Sequence, residues 1–235
     1  MVDHTYLPDF KYKTKNPYND RLGDFGGFVF CGEQGEALLG KWNQDVFKRH
    51  SPLYLEIGSG YGEFMMDYCE KNPDINFVGM DYRFKRSFSL AKKLNNISQK
   101  NFRFLRAKGE RIGFLFNENE VDTLFYFFPD PWPKTSHNKK RLFQIPFLEV
   151  AYKVLKAGGK FYIKSDHDDY AKWMEKILLN QNLFNVDLKT TDLRQEHPHH
   201  FLSSFQTKFE KIFISQGIKI KAFELTSLKR EVAHV

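Results

Sequence analysis

From Ser51 onward the chain alternates between two patterns, and that alternation constrains the fold more than any other feature. Short apolar runs of strand type are each followed by a longer amphipathic stretch. The runs are Leu53 to Ile57, Asn76 to Met80, Phe102 to Leu105, Thr123 to Phe127 and Lys160 to Lys164. Between them lie helical stretches at Glu63 to Glu70, Phe84 to Asn95, Arg111 to Phe116 and Phe143 to Leu155. Strand and helix in alternation predict parallel βαβ units in a doubly wound α/β sheet. The tail departs from this: Lys172 to Leu179 and Phe205 to Ile214 read as helices, Leu183 to Leu188 and Ile218 to Leu225 as strands. A last strand following so closely on its neighbour is expected to run antiparallel at the sheet's end.

Residues 1–32 show no sustained period and are rich in Asp, Asn, Pro, Gly, Tyr and Lys, so they read as an irregular arm before a single domain over 33–235. At 235 residues one core of this kind needs no disulfide or metal staple. Two cysteines, Cys31 and Cys69, argue against an extracellular disulfide scaffold. The start of the chain lacks an apolar signal region, and no apolar run approaches the roughly 20 residues of a membrane span. A cytoplasmic protein is therefore expected. The 36 Lys and Arg outnumber the 29 Asp and Glu, giving a formal charge of +7, which suits a polyanionic partner.

The first strand runs into Glu56-Ile57-Gly58-Ser59-Gly60-Tyr61-Gly62 and then a helix. Glycines at 58, 60 and 62 let the backbone turn sharply and approach a ligand closely. The spacing is not that of the pyrophosphate-binding loop, and Glu56 just before it is suited to a cationic ligand such as the sulfonium and amine of S-adenosylmethionine. Asp81 ends the next strand, where a carboxylate can accept hydrogen bonds from ribose hydroxyls.

After the strand Thr123 to Phe127 comes Phe128-Pro129-Asp130-Pro131-Trp132-Pro133-Lys134, then His137-Asn138-Lys139-Lys140-Arg141. Strand C-terminal ends line the ligand crevice in such sheets, so Asp130, held among prolines, should face the glycine loop. Lys134, His137, Lys139, Lys140 and Arg141 form a basic cluster beside it, suited to RNA phosphates. Trp132 and Phe128 are candidates for an aromatic wall beside an extruded base. Asp166 follows the fifth strand and could instead cap the next helix. Lys11, Lys13, Lys15, Arg21, Arg83, Lys85 and Arg86 read as solvated charge. His197, His199 and His200 are broken by Pro198 and read as a polar loop, with no metal expected.

Taken together, Glu56-Ile57-Gly58-x-Gly60-x-Gly62, the Pro-Asp-Pro-Trp segment with its basic follower, Asp166 and Thr207-Lys208-Phe209-Glu210 resemble the bacterial tRNA (guanine-N7)-methyltransferase family of class I S-adenosylmethionine-dependent enzymes. The likeness runs from about residue 53 to the C-terminus. It implies a seven-stranded Rossmann-like methyltransferase sheet, S-adenosylmethionine as donor, and N7 of the variable-loop guanosine (guanine 46) of tRNA as acceptor. It also implies a catalytic role for Asp130 near the transferred methyl. Glu56, Gly58, Gly60, Gly62, Asp81, the Lys108 position and Asp130 would meet the cofactor, and Lys134, Asp166, Thr207, Lys208, Phe209 and Glu210 the substrate. Lys108 departs from the family, which places Asp or Asn there for the adenine amino group. A lysine cannot accept that hydrogen bond, so a backbone carbonyl, Glu110 or packing would have to serve.

Guanine N7 carries a free lone pair, so no general base is required. An Arg or Lys contact to O6 and N7 would block the nucleophile. The opposite edge, N1–H and N2–H2, suits one carboxylate, either Asp130 or Asp166, which would also offset the positive charge developing on the ring. Two other readings stay open: an amino methyltransferase on another nucleic-acid base, and a noncatalytic RNA-binding protein on a methyltransferase scaffold. Monomer and homodimer are both compatible with the sequence.

Overall fold

The computed structural model describes residues 4–25, 27–94 and 101–230. Its eight strands are β1 (Val29–Cys31), β2 (Leu53–Ile57), β3 (Asn76–Met80), β4 (Phe102–Arg106), β5 (Val121–Phe127), β6 (Leu155–Ser165), β7 (Phe184–Thr190) and β8 (Lys221–Ser227). They form one sheet in the order β1-β4-β3-β2-β5-β6-β8-β7. The pairings from β1 through β6 are parallel, and β8 runs antiparallel to both neighbours. The chain reverses its direction of travel across the sheet between β2 and β5. Their C-terminal ends therefore open a crevice where ligands bind in sheets of this type.

The central strands β2 to β5 are near-continuous apolar runs because both faces are covered. On one face Leu53, Leu55, Ile57, Val78, Met80, Leu124 and Tyr126 pack with Phe147, Phe161 and Tyr170. On the other Phe64, Phe77, Phe102, Phe104, Phe125 and Phe127 form an aromatic layer. Within it Phe125 stacks between Phe77 of β3 and Tyr162 of β6, with centroids 5.8 and 5.6 Å apart. Each such ring contributes about 1.5–3 kcal/mol on burial, which accounts for much of the use made of the chain's 25 Phe.

The sheet has eight strands where seven were expected. Val29–Cys31, within the stretch read as irregular, pairs in parallel with β4. Three residues are too short to show a period, and the open edge of β4 supplies the pairing. The arm is also anchored: Tyr12 is buried, and Arg111 Nη1 donates to the carbonyls of Thr5 and Leu7 at 3.0 and 2.6 Å. The helix expected over 205–214 begins at Lys208 and runs to Ser215, because Thr207 caps it, and a separate short helix, Phe201–Ser204, precedes it. The helix expected to end at Asn95 is described over Phe84–Leu94, and Asn95 itself lies outside the described residues. Among the described residues no helix is long and apolar enough to cross a membrane.

Candidate active site

The loop after β2 is built on three glycines with left-handed backbone: φ is 84° at Gly58, 57° at Gly60 and 71° at Gly62. Other residues adopt that region at a cost, and a side chain would also close the approach to the loop. The amides of Gly58 and Ser59 donate to the Met80 carbonyl at 2.8 and 2.9 Å, hooking the loop over β3. Gly60 N donates to Asp81 Oδ2 at 3.2 Å. Gly62 stands at the N-cap of Glu63–Lys71, where an added Cβ would sit 2.7 Å from a Leu90 methyl.

Two carboxylates flank this loop. Asp81 is buried and also accepts from Arg83 N at 2.8 Å and Arg86 Nη1 at 3.1 Å. Glu56 is buried, and its Oε2 has no hydrogen-bond partner among the described residues, as is true of Ser59 Oγ beside it. Burial, reinforced by the nearby Asp81, pushes the Glu56 carboxyl up to about 8. An unsatisfied buried acid is costly in isolation and calls for a cationic, hydrogen-bonding partner. The orphaned oxygens and glycine backbone therefore fit the amino end of S-adenosylmethionine, with Asp81 suited to its ribose.

The segment after β5 is rigid and strained. Phe128 and Trp132 both adopt left-handed backbone, with φ of 50° and 46°, and each precedes a proline, a combination rare for bulky residues. Between them Asp130 is turned outward and pairs with Arg83, Nη2 to Oδ2, at 3.3 Å. Arg141 holds the segment from behind. It is buried, donates from Nε to Pro131 O at 2.9 Å and from Nη2 to Trp132 O at 3.4 Å, and lies 5.1 Å from the rings of both Tyr170 and Trp173. Its guanidinium is thus placed as a support for the loop rather than as a phosphate contact. Lys140 Nζ sits 4.7 Å from the Trp132 ring centroid. The His137 ring stands edge-on to the same indole at 5.6 Å. Lys134 and Lys139 are exposed on the same stretch.

Two cavities meet at Asp130. The first, about 350 Å³, is lined by Gly58, Asp81, Tyr82, Lys108, Glu110, Trp132 and Lys140. The second, about 520 Å³, is lined by Glu56, Gly60, Asp166, Thr207, Lys208, Phe209 and Phe213. Both share Gly58, Arg86, Phe127, Phe128, Pro129 and Asp130. Phe209, Phe213 and Phe128 form an aromatic file along the second cavity, with successive centroids 6.4 and 5.6 Å apart. Asp166 does not cap the helix Asp168–Leu178; His167 stands at that N-cap, its amide bonded to Ser165 Oγ at 3.2 Å. Lys108 lines the first cavity but points its ammonium at Thr5 Oγ1, 3.3 Å away, close to the rings of Phe10 and Tyr82. His200 bridges Glu224 and Leu202 N.

Thr207, Lys208 and Phe209 reach the second cavity, whereas Glu210 is buried beneath it, bonded to Lys164 and Arg194. Arg83 and Arg86, read as solvated charge, instead contact Asp130 and Asp81, since Arg83 leads into the helix Phe84–Leu94, whose first turn carries Arg86 just after Asp81. Phe213 is absent from the sequence-based candidates, although its i+4 spacing from Phe209 marks one helix face. Thr207-x-x-Glu210 also matches a capping-box pattern, a local signal in its own right.

A glycine loop after one central strand, an acid after its neighbour and a proline-held acid across the crevice define a Rossmann-like methyltransferase. The 16S rRNA methyltransferase KamB shares the fold, with TM-score 0.58 at 16% identity over 77% of this chain and 89% of that one. The family model described as "Putative methyltransferase" matches residues 50–223. The tRNA (guanine-N(7)-)-methyltransferase of Streptococcus thermophilus (strain CNRZ 1066) is 32% identical over 190 residues, 80% of this chain and 86% of that one. A bifunctional glycosyltransferase/methyltransferase of Fusobacterium nucleatum is 32% identical over 87% of this chain, which spans only 31% of that longer protein. This chain belongs to the tRNA (guanine-N7)-methyltransferase family.

Proposed function

We propose that this protein transfers a methyl group from S-adenosylmethionine to N7 of a guanine in tRNA, the variable-loop guanine 46. The observation that carries the reading is the position of Asp130 in the wall common to both cavities. On one side lies an acid suited to ribose, on the other an aromatic file with Asp166 and Thr207. The family's activity supports the choice of donor and acceptor.

S-adenosylmethionine, when bound, supplies a methyl group already activated on sulfur. The protein's task is then to hold two partners in line and to stabilise charge. Glu56 in its ionised form answers a cationic amine, and Asp81 accepts from ribose hydroxyls. Lys108, turned toward Thr5, leaves the adenine amino group to Glu110 or to backbone. N7 attacks with its own lone pair. Of the carboxylates lining the cavities, Asp130 or Asp166 holds the N1–H and N2–H2 edge, and Asp130, at the junction, offsets the positive charge that develops on the ring. Phe209, Phe213 and Phe128 offer the base a stacking surface. Lys134, His137 and Lys139 lie outward of the site, where flanking phosphates would pass, with Lys140 at the edge of the first cavity. The methyltransferase domain in this reading is the expected 33–235 extended back to include β1, which pairs with β4, with the preceding arm as its extension, and tRNA in the cytoplasm is the partner.

The test is incubation with labelled S-adenosylmethionine and unmodified tRNA transcripts, followed by mass mapping of the modified nucleoside for wild type and Asp130→Ala. The expected product is 7-methylguanosine at guanine 46, with wild type only. A methyl group on an exocyclic amine would replace this reading with an amino methyltransferase. Tight tRNA binding without transfer would indicate a noncatalytic RNA-binding protein.

A further inference from the structure

We propose that Glu210 is a positioning residue that fixes the substrate side of the site from beneath, without itself touching RNA. The proposal rests on the tRNA reading above. The side chains of Glu210 and Lys164 are 0% and 1% exposed. Glu210 Oε2 accepts from Lys164 Nζ at 2.8 Å and Oε1 from Arg194 Nη2 at 2.8 Å, so both carboxylate oxygens are engaged inside the protein. The two cations extend the network: Lys164 Nζ donates to Phe205 O at 2.8 Å, and Arg194 Nη1 to Ser203 O at 3.0 Å.

One carboxylate thus ties together the end of β6, the turn Leu193–Glu196 and the stretch 203–210. These segments carry the substrate-side rim. Glu210 N donates to Thr207 Oγ1 at 3.1 Å, which sets the start of Lys208–Ser215, while Thr207, Lys208 and Phe209 face the second cavity. Lys164 is two residues before Asp166 on the same strand end. Its carbonyl accepts from Phe128 N at 2.9 Å, two residues before Asp130. The buried triad therefore locks Asp130, Asp166 and the Thr207 to Phe209 edge into one mutual geometry. Removing Glu210 strands the buried Lys164, and removing Lys164 leaves Glu210 Oε2 unpaired in the interior, whereas replacing a buried pair by apolar side chains of similar size is often tolerated. That asymmetry separates a positioning role from a direct contact, because no apolar side chain can replace a carboxylate that binds RNA.

The experiment compares full-length wild type with Glu210→Gln, Lys164→Met and the double variant Lys164→Met/Glu210→Met. It reads KM and kcat for tRNA transcripts, Kd for S-adenosylmethionine, and amide exchange over residues 203–215 without ligands. Positioning predicts that both single variants raise KM for tRNA at least tenfold, with a smaller loss in kcat and cofactor Kd within twofold. Amides 203–209 should exchange at least tenfold faster, and the double variant should return to within threefold of wild-type KM. An unchanged KM in Lys164→Met overturns the proposal. So does a double variant as impaired as Glu210→Gln whose amides exchange at the wild-type rate, which would mean that the carboxylate contacts RNA. If wild type makes no 7-methylguanosine, the tRNA reading fails instead, and amide exchange alone decides the positioning role, unaltered exchange in both single variants overturning it. Should those variants not fold, Arg194→Met, at a partly exposed position, must show the same pattern in weaker form; wild-type KM and exchange there overturn the proposal.

Discussion

Arg83 Nη2 lies 3.3 Å from Asp130 Oδ2, joining the helix that follows β3 to the proline-held acid that follows β5 across the crevice. Both side chains are well exposed, and such a pair contributes at most about 1 kcal/mol to stability. Its interest is functional. Asp130→Asn keeps the shape and removes the charge, so kcat should fall by about 10²–10³, the scale for losing one preorganised electrostatic group, with cofactor Kd changed less than about threefold. Arg83→Ala should change kcat by less than about fivefold, consistent with that exposed-pair energy. Single-turnover transfer of labelled methyl checks both, and full turnover by Asp130→Asn would exclude the electrostatic role.

The buried Glu56 makes cofactor binding a proton-linked event. Its carboxyl is raised from 4.5 to about 8 when folded, so between those values the folded state holds a proton that the unfolded state has released. Stability of the ligand-free protein should therefore fall as pH rises from about 4.5 to about 8, by a few kcal/mol, and level off above. Binding a cationic amine requires the ionised form, so cofactor affinity should rise about tenfold per pH unit below 8 and then flatten. Titration calorimetry at pH 7 in two buffers of different ionisation heat should show release of nearly one proton. Glu56→Gln should abolish that release.

The glycines of the loop should fail in different ways. Gly62→Ala meets both a left-handed φ of 71° and a Leu90 methyl 2.7 Å from the new Cβ, so it should cost about 2–4 kcal/mol in denaturant unfolding. Gly58→Ala has no atom within 4 Å of its Cβ. It should cost only about 1–2 kcal/mol of backbone strain, and its larger effect should be weaker cofactor binding, because the methyl group projects where the ligand must approach.

Members of the basic cluster should likewise separate. Lys139 and Lys140 are exposed, so replacing both by Ala should flatten the salt dependence of tRNA affinity by roughly 0.7–0.9 in log-log slope for each phosphate no longer neutralised. Arg141 is buried against the Pro131 and Trp132 carbonyls. Arg141→Ala should leave that slope unchanged and lower stability by about 2–4 kcal/mol. A reduced slope in Arg141→Ala would return that residue to the RNA surface.

Much of the molecule was legible in the chain because its signals are local. The alternation of apolar runs located β2 to β5 to within two residues at each end, since period and turn chemistry act over a few positions, but β6 begins at Leu155, five residues before the expected Lys160, and β8 at Lys221, three after the expected Ile218. The three glycines announced left-handed backbone, and three prolines around Asp130 announced a rigid loop. β1 was invisible, because a three-residue strand has no period and forms only where the edge of β4 offers partners. The helix start at Lys208 was written as a capping pattern at Thr207 but overshadowed by the apolar residues around it.

Short-range sterics and hydrophobic pattern in the chain fix the sheet class, the succession of its elements and the identities of the acids that the strand ends present. Which charges face the cavities and which face one another is settled by folding. Arg141 and Glu210 look like surface charge in the sequence, but folding buries them against carbonyls and counter-charges from distant segments, while Arg83 and Arg86 are brought onto Asp130 and Asp81. Pairing across the sheet, as between Lys164 and Glu210 or Arg83 and Asp130, joins groups 46 and 47 residues apart in the chain, and those neighbours exist only once the sheet has assembled.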